Sequence, residues 1–254
     1  PLWAAKRGGW LYPELPLRFQ NYARKVASEL GDLVDYWVTL NEPAVLAYMA
    51  YAGDRWPPGR GRLNDAFAAL GLQLEAHTRA YRAIHERVHE AKVGLVLNMP
   101  LFEPDRVHHP LDQAAARLED YTFNEALLRS LSTGSGTFPI SYTFEKIPGL
   151  KRSFEFLGLN YYGRYAVRFS LSGDSPFGEH VQTPTTATEW NDWGQPCPRG
   201  LRRQLLRLAK LGVPLFVTEN GLYDNEDTNR PAREISRPPG TSRSTGVCSQ
   251  GSTK

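Results

Sequence analysis

The sequence predicts an α/β fold in which a parallel sheet is covered by helices. Three observations carry this expectation. Short, predominantly apolar segments alternate with longer amphipathic ones, the pattern of buried parallel strands joined by crossover helices. The apolar segments begin near residues 36, 92, 155 and 214, with gaps of 56, 63 and 59 residues. Each of them ends in polar residues: Asn41-Glu42, Asn98, Asn160-Tyr161-Tyr162 and Glu219-Asn220. If such units close into an eight-stranded barrel, eight of them need roughly 470 residues. The 254 residues of this chain hold about half of that.

In chain order, residues 14–31 read as an amphipathic helix. Leu17, Tyr22, Val26 and Leu30 fall near helical spacing, and Gly31 suits the stop. Tyr36–Leu40 is the first strand. Residues 64–91 read as a long helix rich in Ala and Leu, followed by the second strand, Val93–Leu97. Residues 112–132 are expected to be helical, Phe154–Leu159 to be the third strand, residues 200–211 the fourth helix, and Val213–Val217 the fourth strand. From Arg230 to Lys254 only Ala232, Ile235, Val247 and Cys248 are apolar. That stretch cannot bury a core, so disorder is expected there. The domain expectation is therefore a catalytic region over 1–229 and a tail over 230–254 that does not look native, for which a reading-frame error is one explanation.

Composition excludes several classes. The net charge of +3 is small for this length, and no basic stripe of the kind that binds nucleic acid is present. No apolar run approaches the roughly 20 residues of a membrane span. Two cysteines, Cys197 and Cys248, make no disulfide framework. A reducing, cytoplasmic setting is the expectation, with the true N-terminus lying upstream of Pro1.

The chemistry lies at the strand ends, where parallel α/β barrels build their sites. Two of the four ends deliver a glutamate, Glu42 and Glu219. A carboxylate there is costly unless paired, hydrogen-bonded or functional. Two of them on one rim match the carboxylate pair of glycoside hydrolysis. Spacing alone leaves the alternative open that either glutamate caps a helix or pairs with an arginine.

Trp37-Val38-Thr39-Leu40-Asn41-Glu42-Pro43 resembles the acid/base signature of glycoside hydrolase family 1, and Phe216-Val217-Thr218-Glu219-Asn220-Gly221 resembles its nucleophile signature. Phe156-Leu157-Gly158-Leu159-Asn160-Tyr161-Tyr162 resembles the segment that supplies a tyrosine beside the nucleophile. Pro1-Leu2-Trp3 and Gly8-Gly9-Trp10 fit the segment after the family's third strand. The match spans about residues 1–230, with the motifs in order.

The resemblance implies a (β/α)8 TIM barrel, here a partial one with about four central-to-late βα units, and a retaining β-glycosidase such as a β-glucosidase. Glu42 is implied as the acid/base and Glu219 as the nucleophile that forms a glycosyl-enzyme. Tyr162 is implied as the donor orienting Glu219, although Tyr161 competes for that role. Asn41 is implied to bond the sugar 2-hydroxyl, with Asn160 as a further substrate-binding candidate. No metal or organic cofactor is implied. The expected partner is a β-linked oligosaccharide or β-glycoside, with no nucleic acid and no membrane. Trp190 and Trp193 are candidates for sugar stacking or for core packing.

Three strands before Pro1 and one after Gly221 are expected to be absent. With them go a Gln and a His that hold sugar hydroxyls and a Trp/Glu pair at the far side of the glycon. One rival reading is therefore a catalytically silent fragment or weak carbohydrate binder. Another is a zinc peptidase, because His85-Glu86-Arg87-Val88-His89 matches H-E-x-x-H. That reading needs both histidines on one helical face, and a solvated helix surface is the alternative.

Overall fold

The computed structural model describes residues 2–139, 142–172, 178–181 and 194–221. Trp190, Trp193, Cys248 and the 230–254 tail lie outside the described residues. The chain divides into two compact units.

The first unit comprises Pro1–Met99, Tyr121–Asn160 and Leu206–Thr218. It opens with helix α1 (Leu2–Ala5) and helix α2 (Leu15–Leu30), then strand β1 (Tyr36–Asn41), helix α3 (Pro43–Ala47), a π-helical turn (Tyr48–Ala52) and helix α4 (Leu63–His85). Strand β2 (Lys92–Asn98) follows. Its sheet is four-stranded, β1-β2-β6-β9, where β6 is Phe156–Tyr161 and β9 is Leu215–Asn220. All four expected strands are therefore present, each within three residues of its expected bounds. β1 runs parallel to β2, and β2 parallel to β6. The two inner strands are buried almost throughout, as continuous apolar runs require, while β1 and β9 are half-exposed.

The α2 helix lies where expected, but its buried face is not the predicted one. Leu17, Tyr22 and Leu30 point to solvent, and Ala23 and Ala27 are buried instead. These alanines pack against Ala80, Ile84, Ala91 and Val93, flanked by Phe19, Trp37, Tyr81 and Val88. Small side chains at i and i+4 let α2 approach α4 closely, and this outweighs the burial of the larger stripe. Gly31 ends α2 for a related reason. A Cβ there would lie 2.4 Å from Val88 Cγ2 and 2.5 Å from the Ala27 carbonyl oxygen.

The second long helix stops at His85, six residues short of expectation, because residues 86–90 turn back toward β2. His85 and His89 therefore share no helical face, and the H-E-x-x-H geometry is not formed. His85 instead lies edge-on to Tyr81, with Nε2 3.2 Å from Glu155 Oε1. Glu155 also accepts from the Tyr81 hydroxyl and, through Oε2, from the Val93 amide at 2.8 Å. This clamp ties α4 to the amino-terminal end of β2, the face of a barrel that carries stability rather than chemistry.

The second unit comprises Pro100–Asp120, Tyr161–Leu205 and Glu219–Lys254. Its three-stranded sheet was not expected. Strand β3 (Leu101–Pro104) pairs in parallel with β7 (Arg164–Phe169), and β7 pairs antiparallel with β8 (Gly178–Val181). Helix α5 (Pro110–Asp120) covers it through Ala115, Ala116 and Val167. Buried Asp112 accepts both arms of Arg106 at 2.8 Å and the Phe169 amide at 3.1 Å, which holds its carboxyl far below the usual carboxylate range. The expected helix over 112–132 is broken. A π-helical segment (Tyr121–Glu125) separates α5 from α6 (Ala126–Thr133).

A hairpin of β4 (Gly136–Phe138) and β5 (Tyr142–Phe144), and helix α7 (Pro198–Leu208), complete the described elements. Among the described residues no helix is long and apolar enough to cross a membrane.

Candidate active site at the strand ends

In the first unit the polar strand ends meet. Asn98 and Asn160 stand opposite each other in the β2–β6 register. The β1–β2 register shifts between Val38 and Asn41, a bulge of the kind that re-aims side chains beside functional sites. Glu42 follows at once, with φ 51° and ψ 55°, the one non-glycine residue at positive φ among the described residues. A glutamate in that region costs about 1–3 kcal/mol and persists only where its surroundings over-determine it.

The surroundings are specific. Glu42 Oε1 accepts the side-chain amides of Asn98 and Asn160, each at 2.8 Å. Asn160 also donates to Asn41 Oδ1 at 3.2 Å, and its own Oδ1 accepts the Thr218 hydroxyl at 2.6 Å. The backbone amide of Glu42 donates to the Val96 carbonyl at 2.9 Å. Pro43 opens α3, yet the Glu42 side chain makes no capping bond to that helix. No described cation pairs with it. Both structural explanations for this carboxylate, a cap and an arginine partner, are therefore missing. Asn98 and Thr218 are the residues that sequence reasoning left without a role. Their shared position at the strand ends was the available signal.

In the second unit Glu219 Oε2 accepts the Tyr162 hydroxyl at 2.5 Å. The competing Tyr161 is buried and donates to the Cys197 carbonyl at 2.6 Å. Adjacent residues on a strand face opposite ways, so only one of the two tyrosines reaches Glu219. Asn220 Nδ2 donates to the Tyr161 carbonyl at 2.5 Å, which fixes the end of β9. Glu219 likewise has no cationic partner among the described residues. A neutral phenol orients a carboxylate without cancelling its charge, which suits a nucleophile.

No group of His, Cys, Asp and Glu side chains that could hold a metal ion occurs among the described residues.

A family model described as Glycosyl hydrolase family 1 matches residues 1–236. The chain is 30% identical over 256 residues to a Beta-galactosidase of Pyrococcus woesei, which covers 89% of this chain and 50% of that protein. It is 31% identical over 230 residues to Beta-glucosidase A of Thermotoga maritima, covering 85% and 50% respectively. Among solved structures, a beta-glycosidase from Pyrococcus horikoshii matches with TM-score 0.75 at 30% identity, over 89% of this chain and 52% of that one. The family 1 β-glucosidase from Thermotoga maritima matches with TM-score 0.72 at 29% identity, over 85% and 50%. The chain thus spans about half the length of these relatives, and its fold is α/β, a partial (β/α)8 barrel.

Proposed function

Because the chain belongs to glycosyl hydrolase family 1, we propose that it cleaves β-glycosidic bonds with retention, using Glu42 as acid/base and Glu219 as nucleophile. One observation carries this reading. Each glutamate lies at the carboxyl end of a strand of the four-stranded sheet and is held by neutral donors, with no cation beside it among the described residues.

In the first step Glu219 attacks the anomeric carbon while Glu42 protonates the departing oxygen. In the second, Glu42 takes a proton from water, which displaces Glu219 from the same face that the leaving group vacated. Two inversions give net retention. Tyr162 orients the attacking carboxylate, and Asn41 is assigned to the sugar 2-hydroxyl, a contact that strengthens in the transition state. Asn160 supports both Asn41 and Glu42 rather than reaching the sugar itself. No step requires a metal or organic cofactor. Relatives carrying the names β-glucosidase and β-galactosidase match about equally well, so β-glucosides and β-galactosides are the first substrates to test.

The test is turnover of aryl β-glucosides and β-galactosides, with the anomer of the first-formed sugar read by proton NMR. A β anomer supports the reading, and an α anomer overturns it. A second reading is favoured by the half-length match and the exposed outer strands. In it, the chain binds carbohydrate weakly and turns over only when the remaining strands are supplied. Calorimetric binding of a β-glucoside without turnover distinguishes the two.

A further inference from the structure

Asn160 is fully buried, and every hydrogen-bonding group of its side chain is engaged. Its amide has two hydrogens, and they go to Glu42 Oε1 and Asn41 Oδ1. Its oxygen accepts from Thr218. Turned over, the amide would set Oδ1 against two oxygen acceptors, so the network admits one orientation. Donation by Thr218 also polarises the amide, which strengthens its N–H bond to Glu42. Gly158, two residues earlier on β6, provides the room. A Cβ there would lie 2.9 Å from both Oγ1 and Cγ2 of Thr218, and 2.6 Å from Val96 Cγ2.

The outcome at Glu42 is asymmetric. Oε1 accepts two amide donors, from Asn98 and Asn160, while Oε2 has no donor among the described residues. A carboxyl proton placed on Oε1 would displace one of those donors. A proton on Oε2 displaces none.

We propose that Thr218 and Asn160 form a positioning relay that holds Oε1 of Glu42 and so assigns its transferable proton to Oε2. The relay rests on Glu42 being the acid/base. It starts at the residue that immediately precedes Glu219 in the chain, so the strand that presents the nucleophile also sets the acid's orientation. Neither residue touches the reacting atoms in this role.

The experiment compares Thr218→Val, nearly isosteric but without a donor, with Thr218→Ser, which keeps the hydroxyl. The first readout is the side-chain amide signals of Asn160 in nitrogen–proton NMR spectra of the full chain, recorded across pH. In the parent chain those protons lie downfield and respond to ionisation of Glu42, a response that Glu42→Gln abolishes. Thr218→Val moves them upfield and weakens the response, and Thr218→Ser restores both. The second readout is kinetic. Thr218→Val lowers kcat for alkyl β-glycosides about tenfold more than for dinitrophenyl β-glycosides, with little change in KM, and Ser rescues it. Unchanged Asn160 signals in Thr218→Val overturn the relay, as does an equal loss on both substrate types. If the amide signals respond as described but no β-glycoside is turned over, the relay geometry stands and the glycosidase reading of this chain fails.

Discussion

His77 Nδ1 lies 2.5 Å from the Thr39 hydroxyl, three residues before Glu42 on the strand that presents it. Thr39 also reaches the Gly94 carbonyl at 3.3 Å, so a helix, β1 and β2 meet at this pair. The imidazole is fully buried, and loss of solvation pushes it down to about 4, against the weaker opposing effect of a hydrogen bond to the Ser153 backbone.

That burial has a consequence for acid stability. The unfolded chain protonates His77 near its ordinary value of 6.5, well before the folded chain does. Stability from this group is complete above pH 6.5 and declines as pH falls from 6.5 to about 4. Below that the two states protonate alike, and the loss levels off. At 1.36 kcal/mol per unit, the decline amounts to roughly 3 kcal/mol. Urea midpoints should therefore fall between pH 7.5 and 4, and more steeply than in His77→Leu. Parallel pH dependences in the two proteins would show that His77 is not the group responsible.

The strands and their polar ends were legible because both rest on strong local signals, namely continuous apolar runs and the residues that stop them. Two strand-end glutamates were enough to suggest the chemistry. What stayed hidden depends on tertiary contact. Which face of α2 is buried was set by Ala23 and Ala27 fitting against Ala80 and Ile84, and hydrophobic size pointed the other way. Arg164–Phe169 did not read as a strand because it carries Arg164 and Arg168, and those charges are matched only by distant partners. Arg164 meets Glu103 at 3.1 Å, and Arg168 meets Asp105 at 2.7 Å. The bulge before Glu42 leaves no mark in composition. Neither does the buried His77, which lay within a helix read only as Ala- and Leu-rich.

Replacing Glu219 with glycine should remove the nucleophile and cost several orders of magnitude in turnover of an aryl β-glycoside. Azide then fits the vacated space and attacks from the nucleophile's face. Only one inversion occurs, so the product is the α-glycosyl azide. NMR identification of a β product, or activity near that of the parent, would remove Glu219 from the role.

Glu42→Ala should show a different signature. Proton donation matters most where the leaving group is poor, and positioned acids contribute about 10²–10⁴-fold. Glycosylation rates should therefore fall steeply for alkyl glycosides and disaccharides and much less for dinitrophenyl glycosides. Azide attacks the intermediate formed at Glu219 and yields the β-glycosyl azide after two inversions. A uniform loss across leaving groups would place the acid on another residue.

The outer strands of the four-stranded sheet bear on how the chain behaves by itself. β1 and β9 each have one hydrogen-bonded neighbour among the described residues. Their side chains are uncovered, with Tyr36 58% exposed, Val38 48%, Phe216 41% and Val217 48%. Strands with free edges and exposed apolar residues recruit further strands. About 25 cal/mol is gained per Å² of apolar surface removed from water. Pairing two such edges over a few hundred Å² is then comparable with the roughly 5–15 kcal/mol stability of a domain. The chain should associate with itself as its concentration rises, and sedimentation velocity over a hundredfold range should show a growing heavier species. Lysine at an edge opposes strand addition by charge and solvation. The double variant Val38→Lys, Val217→Lys should therefore shift the distribution toward monomer without altering the far-ultraviolet circular dichroism. Neither residue belongs to the network around Glu42 or to the Tyr162–Glu219 pair, so the change tests the edges alone. A parent chain that sediments as a monomer at every concentration would show that these edges do not drive association.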